Sequence, residues 1–214
     1  MQNPSPFSAS QSNPTSTDHR IAIFASGSGS NAERIIEYFR SHPRIRVSLI
    51  LTNNPKAGVL ERASRLGVPA HVFNRNDFYQ TDEVLQVLEV HRISFIVLAG
   101  FLWLMPLNLV QAFPNRIVNI HPALLPRYGG KGMYGMKVHE AIVQAGEKES
   151  GITIHYVNEH YDEGQIVFQA TCALTPDDSP EDVAHKVQAL EHQYFPTVIE
   201  QVILGTNPIG NGQE

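Results

Sequence analysis

The 214-residue chain has one cysteine, one tryptophan, no polybasic run and no apolar stretch long enough to cross a bilayer. Each scarcity excludes something. A single cysteine, Cys172, can build neither a disulfide framework nor a cysteine-based zinc site. It sits in the largely apolar run 166–174 and reads as a small buried hydrophobe rather than a nucleophile. The ten histidines include no His-Glu-x-x-His pattern, and His155 and His160 fall on different elements, so no metal site is expected. A net charge of −5 without clustered Lys and Arg argues against nucleic acid as a partner. Residues 1–19 are rich in Ser, Pro, Asn and Gln and lack both a positive start and an apolar core. They read as a disordered tail, not a signal peptide or membrane span. The expectation is therefore a cytoplasmic protein with one domain over 20–214, monomeric or homodimeric, without membrane contact.

What is present is a repeating alternation. Apolar runs at 21–25, 47–51, 70–73, 95–99 and 117–120 read as strands covered on both faces. Segments of helical spacing lie between them, at 31–40, 57–66, 81–91 and 106–112. This alternation predicts a parallel sheet with right-handed crossovers. After 124 the pattern changes. A glycine-rich loop over 124–135 leads into a helix at 137–145. Strands at 152–157 and 166–174 follow, joined by a loop too short for a helical crossover, so they pair antiparallel. Ser179-Pro180-Glu181-Asp182 caps a long last helix ending before Gly205.

Three constellations carry chemistry. Asn119 and His121 stand two apart at the end of the fifth apolar run, so they project from the same side of a strand. Pro122 and Pro126 hold the pair at a strand's carboxyl end, where open α/β sheets bind ligands. An amide that can donate to an oxyanion, beside a group that can move a proton, suits acyl transfer without a covalent enzyme intermediate. The second constellation, 25–32 (ASGSGSNA), places a glycine turn before a helix N-terminus, where free N–H groups attract an anion. It matches G-x-G-x-x-A, but the ribose-binding acid about twenty residues on is replaced by Thr52-Asn53-Asn54. A phosphate monoester fits better than a dinucleotide. The third is His155 with Asp162-Glu163-Gly164, on the connection between the antiparallel strands. Asp162 also suits a plain turn. Where it meets an imidazole, it raises that ring's basicity.

Taken together, these motifs resemble the formyltetrahydrofolate-dependent formyltransferases. The matching segments occur in order: G-S-G-S-N at 27–31, V-L-A-G-F at 97–101, N-I-H-P-x-L-L-P at 119–126 and H-x-V-x-x-x-x-D-x-G at 155–164. The resemblance runs from about residue 20 to 204 and is nearest to the branch that formylates glycinamide ribonucleotide in purine synthesis. It implies a Rossmann-like, mostly parallel sheet of about seven strands with helices on both faces. It also implies 10-formyltetrahydrofolate as co-substrate, with no metal. Asn119, His121 and Asp162 would be catalytic: Asn119 on the formyl oxygen, His121 on the intermediate and its proton, Asp162 holding His121 and a relaying water. Gly29, Ser30 and Asn31 would grip the substrate phosphate. Phe101, Leu102, Trp103, Leu104, Met105, His155 and Asp162 would bind the folate. The chain departs from the family pattern at Trp103, where many members carry Arg. It departs also in a longer loop over 129–135 and in the short stretch TNPIGNGQE after Leu204.

Related activities fit less well. A transfer-RNA formyltransferase would add a basic domain, and a deformylase would add an N-terminal regulatory one. A sugar-amine formyltransferase shares the core and differs in taking a nucleotide sugar. A nicotinamide oxidoreductase leaves Asn119, His121 and Asp162 unexplained, and a simple binding module needs no proton-transfer pair.

Overall fold

A computed structural model describes residues 19–206 and arranges them as seven strands and seven helices. In chain order these are β1 (His19–Phe24), α1 (Ser30–Phe39), β2 (Ile45–Thr52), α2 (Val59–Leu66), β3 (Ala70–Val72), α3 (Arg75–Tyr79) and α4 (Glu83–Val90). Then come β4 (Phe95–Leu98), α5 (Leu107–Ala112), β5 (Ile117–His121), α6 (Met136–Gln144), β6 (Glu149–Tyr156), β7 (Ile166–Ala173) and α7 (Pro180–Leu204). The tail expected over 1–19 lies outside the described residues up to position 18, as does the terminal stretch 207–214.

The strands form one sheet in the order β3-β2-β1-β4-β5-β6-β7. The first five are parallel, and β6 and β7 join antiparallel at the β5 edge. The expected α/β architecture, with its antiparallel C-terminal portion, is therefore the one observed. The alternation of β1 shows why the sequence runs were continuous rather than alternating. Ile21 and Ile23 face one core with Ile35, Phe39, Val183 and Phe195, while Ala22 and Phe24 face another with Phe78, Leu88 and Leu109. Both sheet faces are buried under helices, so both parities must be apolar.

The sheet order reverses at β1, whose neighbours are β2 on one side and β4 on the other. That reversal opens a crevice beyond the strands' carboxyl ends. The 25–29 turn leaves β1 there, and Ser26 N–H donates to the Gly100 carbonyl beyond β4.

Two local differences from the sequence reading have plain causes. The helix expected over 81–91 is shorter, as α4, and the additional helix α3 precedes it. α3 is built by a capping box in which Asn74 accepts from Asn76 N and Asp77 N while Asp77 accepts from Asn74 N. It buries only Phe78, so it leaves no apolar periodicity to read. The last helix matches its cap: Ser179 accepts from Asp182 N at 3.2 Å, and Gly205 closes it with φ +67°.

Candidate active site

The site grows from register. In β5, Asn119 pairs across the sheet with His155 of β6, and His121 pairs with Thr153. Asn119 Nδ2 donates to His155 Nε2 at 3.1 Å. The other ring nitrogen of His155, Nδ1, lies 2.8 Å from the Tyr156 carbonyl oxygen. A carbonyl only accepts, so His155 carries its proton on Nδ1 and offers Nε2 to the Asn119 amide. His155 is thus a buried brace that orients Asn119.

The Asp162 carboxylate comes from the loop between β6 and β7. It sits 3.6 Å from His121 Nδ1 through Oδ2 and 3.6 Å from His155 Nε2 through Oδ1. Asp162 adopts a left-handed backbone, φ +56°, and Oδ2 accepts from Gly130 N–H at 2.9 Å. The glycine two residues on explains the end of that motif. A Cβ on Gly164 would overlap the Tyr156 carbonyl oxygen, so only glycine lets the loop return against β6.

His121 is buried, and its Nε2 donates to the Tyr128 carbonyl at 2.8 Å. Burial holds the ring's pKa below its ordinary value. The Asp162 charge and the Tyr128 carbonyl push it back up without prevailing, and His155 pushes it further down. The expected bias toward a protonated ring is therefore present but outweighed. The resting imidazole is neutral at pH 7, with a bare Nδ1 facing Asp162. Burial pushes Asp162 upward, yet the His155 ring, His121 and the Gly130 amide together hold it below the usual carboxylate range. A buried neutral base thus stands against a buried anion, ready to take a proton when charge develops nearby.

A cavity of about 630 Å³ joins this trio to the glycine turn. Its walls include 26–31, 99–102, 119–122, 130–135, Tyr161 and Asp162. Gly29 precedes α1 with φ +77°, and a Cβ there would come within 2.6 Å of the Val59 side chain. Glycine is thus required both by conformation and by the approach of α2. The turn carries no side-chain cap, which leaves the first amides of α1 open to the cavity. Ser30 and Asn31 are held from α7: Asn31 Nδ2 donates to Glu191 at 2.7 Å and Gln188 Nε2 donates to Ser30 Oγ at 3.3 Å.

The residues expected to bind folate divide. Phe101, Leu102 and Asp162 line the cavity. Trp103, Leu104, Met105 and His155 do not. Trp103 packs among Phe73, Phe78, Tyr79 and Phe101, with the Arg75 guanidinium 5.7 Å from its ring. Met105 is in the core, and the Leu104 carbonyl accepts from Tyr79 Oη at 2.9 Å. Sequence reasoning missed four participants: Tyr128, Gly130, His139 and Glu191. Tyr128 and Gly130 act through backbone atoms, which leave no side-chain signal. Glu191 lies 160 residues from Asn31 in the chain. His139 sits on the buried face of α6, one residue after Val138, where its spacing could have flagged it.

Cys172 is half-buried, and burial pushes its thiol up, against a nucleophilic role. Among the described residues no cluster of His, Cys, Asp and Glu is arranged to hold a metal ion, and no helix is long and apolar enough to cross a membrane.

The chain is similar in sequence and fold to known proteins. The formyl transferase family matches residues 19–199. The chloroplastic phosphoribosylglycinamide formyltransferase of Arabidopsis thaliana is 43% identical over 84% of this chain. The phosphoribosylglycinamide formyltransferase of Bacillus subtilis is 35% identical over 89% of this chain and 97% of its own length. The chain spans 64% of the Arabidopsis protein's length. The crystal structure of phosphoribosylglycinamide formyltransferase from Bacillus halodurans superposes with a TM-score of 0.77 at 37% identity, covering 86% of this chain and 95% of that one. With the family match running over residues 19–199 and a 35% identical relative covered over 97% of its own length, the chain belongs to the formyl transferase family.

Proposed function

We propose that the protein transfers a formyl group from 10-formyltetrahydrofolate to the amine of glycinamide ribonucleotide, a step of purine synthesis. The observation that carries this reading is one cavity lined by two kinds of group. One is an anion-attracting glycine turn at a helix N-terminus, the other the Asn119–His121–Asp162 trio. A ribonucleotide with a phosphate at one extremity and an amine at the other matches that layout. The names of the Arabidopsis and Bacillus relatives agree with it.

The chemistry follows from the geometry. The substrate amine attacks the formyl carbon directly, making a tetrahedral intermediate with negative oxygen and positive nitrogen. Asn119, held by His155, donates to the oxygen. Negative charge growing beside His121 raises the affinity of Nδ1 for a proton, and the ring takes the proton that leaves the nitrogen, directly or through one water. The resulting imidazolium is held between the Tyr128 carbonyl and the Asp162 carboxylate. It then returns the proton to the folate nitrogen N10 as the bond from the formyl carbon to N10 breaks, releasing tetrahydrofolate and the formylated amine and restoring the neutral ring. Phe101 and Leu102 supply an apolar wall for the folate ring system.

The test is a formyl-transfer assay offering glycinamide ribonucleotide beside nucleotide-linked amino sugars, with 10-formyltetrahydrofolate as donor. Preference for the ribonucleotide by at least a hundredfold in kcat/KM supports the reading. Preference for an amino sugar replaces it with a sugar-amine formyltransferase.

A further inference from the structure

We propose that Tyr128 and Glu147 form a positioning tether that keeps the proton of resting His121 on Nε2, leaving Nδ1 free to accept one. For its kinetic consequence this rests on the formyl-transfer reading; for its structural consequence it stands alone.

Two acceptors compete for the single proton of neutral His121. The Tyr128 carbonyl lies 2.8 Å from Nε2, and Asp162 Oδ2 lies 3.6 Å from Nδ1. A carboxylate is the stronger acceptor, so the carbonyl prevails only while it is held at its shorter distance. Holding it has a cost, because Tyr128 is left-handed, with φ +57°. A bulky side chain keeps that conformation only where its surroundings over-determine it.

The surroundings here are specific. Tyr128 Oη donates to Glu147 Oε1 at 2.6 Å. Arg127 pairs with the same carboxylate, and its guanidinium lies 5.3 Å from the Tyr128 ring. Glu147 is itself fixed at the end of α6, where its N–H donates to the Ile142 carbonyl at 3.3 Å. The loop carrying Tyr128 is thereby tied to the junction of α6 and β6, rigid elements that flank the site. Two residues after Tyr128, Gly130 N–H donates to Asp162 Oδ2. One short segment thus sets the acceptor on one side of His121 and the orientation of the carboxylate on the other.

Without the tether, Tyr128 relaxes from the left-handed region and its carbonyl leaves Nε2. The ring proton then moves to Nδ1, toward Asp162. A ring protonated at Nδ1 has no free site facing the reaction. Tyr128 and Glu147 touch no reacting atom; they act through His121.

The direct readout is the tautomer of His121, read by nitrogen-15 NMR of the imidazole in the unliganded protein above the ring's pKa, with His121→Gln identifying the signal. Wild type should show the proton on Nε2. Tyr128→Phe, which keeps the ring and removes only the hydroxyl, should shift it to Nδ1 and lower kcat about tenfold, with KM changed less than twofold. Glu147→Ala should do the same, and it carries the test if Tyr128→Phe fails to fold. Glu147→Gln retains an acceptor for the hydroxyl and should restore both the tautomer and most of the rate. The proposal is overturned by a wild-type proton on Nδ1, by an unchanged tautomer in the folded disruptive variants, or by a shifted tautomer with unchanged kcat. If the wild-type protein formylates no amine, the proposed function fails, and the NMR result alone decides the tether.

Discussion

Asp162→Asn separates charge from shape at the centre of the site. Asparagine keeps an oxygen for the Gly130 N–H, so the loop should hold its conformation while the negative charge is lost. The charge matters because it lies 3.6 Å from His121 Nδ1. Opposite unit charges near 4 Å attract by about 4 kcal/mol at an effective dielectric of 20, and that attraction exists only after His121 takes the proton. Each 1.4 kcal/mol is a factor of ten in rate, so the ceiling on the loss is about a thousandfold. Solvent at the cavity mouth reduces this, and a loss of roughly a hundred- to a thousandfold in kcat is expected, with little change in KM. The sign of the pH effect is also determined. Burial already holds the His121 pKa down and Asp162 opposes it, so removing the charge lowers that pKa further. The acid limb of the kcat profile should therefore move to lower pH. Single-turnover formyl transfer, followed by stopped flow across pH, reads both effects. A folded Asp162→Asn protein with near wild-type turnover, or an acid limb displaced upward, would refute the reasoning.

Other perturbations follow from the same geometry. Asn119→Ala should lose about a hundred- to a thousandfold in turnover, and combining it with Asp162→Asn should cost far less than the product of the two losses, because the groups act as a unit; multiplicative losses would show them to be independent. Gly29→Ala places a side chain at φ +77° and against Val59, so it should destabilise the fold by about 1–3 kcal/mol and raise KM for the ribonucleotide much more than for the folate; equal rises in the two constants would remove the phosphate from this turn. His121 and His139 are both held neutral by burial, with pKa values below their ordinary 6.5. Below about pH 6.5 the unfolded chain binds protons that the folded one refuses, so melting temperature should fall as pH drops from there toward 5; His139→Gln should flatten that fall, and an unchanged slope would place the cause elsewhere.

The fold was legible in the sequence wherever burial is two-sided. The 21–25 and 95–98 segments have apolar residues of both parities because helices cover both faces of the sheet. The strand order was not legible, since nothing local records that β1 lies between β2 and β4. Asn119 and His121 could be read from strand parity alone. The sequence offered Asp162 as a partner for some imidazole, but only the family resemblance named His121, because Asp162 lies 41 positions further along the chain and a loop closes the gap. The backbone groups of Tyr128 and Gly130 carry no residue-type signal, so the groups that set the His121 tautomer and hold Asp162 emerged only in three dimensions. The resemblance assigns Trp103 to the folate wall, and its ring packs with Phe73, Phe78 and Tyr79, a set of contacts that no local pattern announces.

The central claim is that one cavity holds the phosphate on the glycine turn and the formyl carbon on Asn119 and His121. A structure of the protein with glycinamide ribonucleotide and a folate analogue that cannot release its one-carbon group tests it most directly. The account predicts phosphate oxygens on the amides of Gly29, Ser30 and Asn31, and the analogue's formyl-equivalent oxygen within hydrogen-bond reach, about 3 Å, of Asn119 Nδ2. A phosphate bound away from that turn, or a formyl oxygen facing neither Asn119 nor His121, would contradict it.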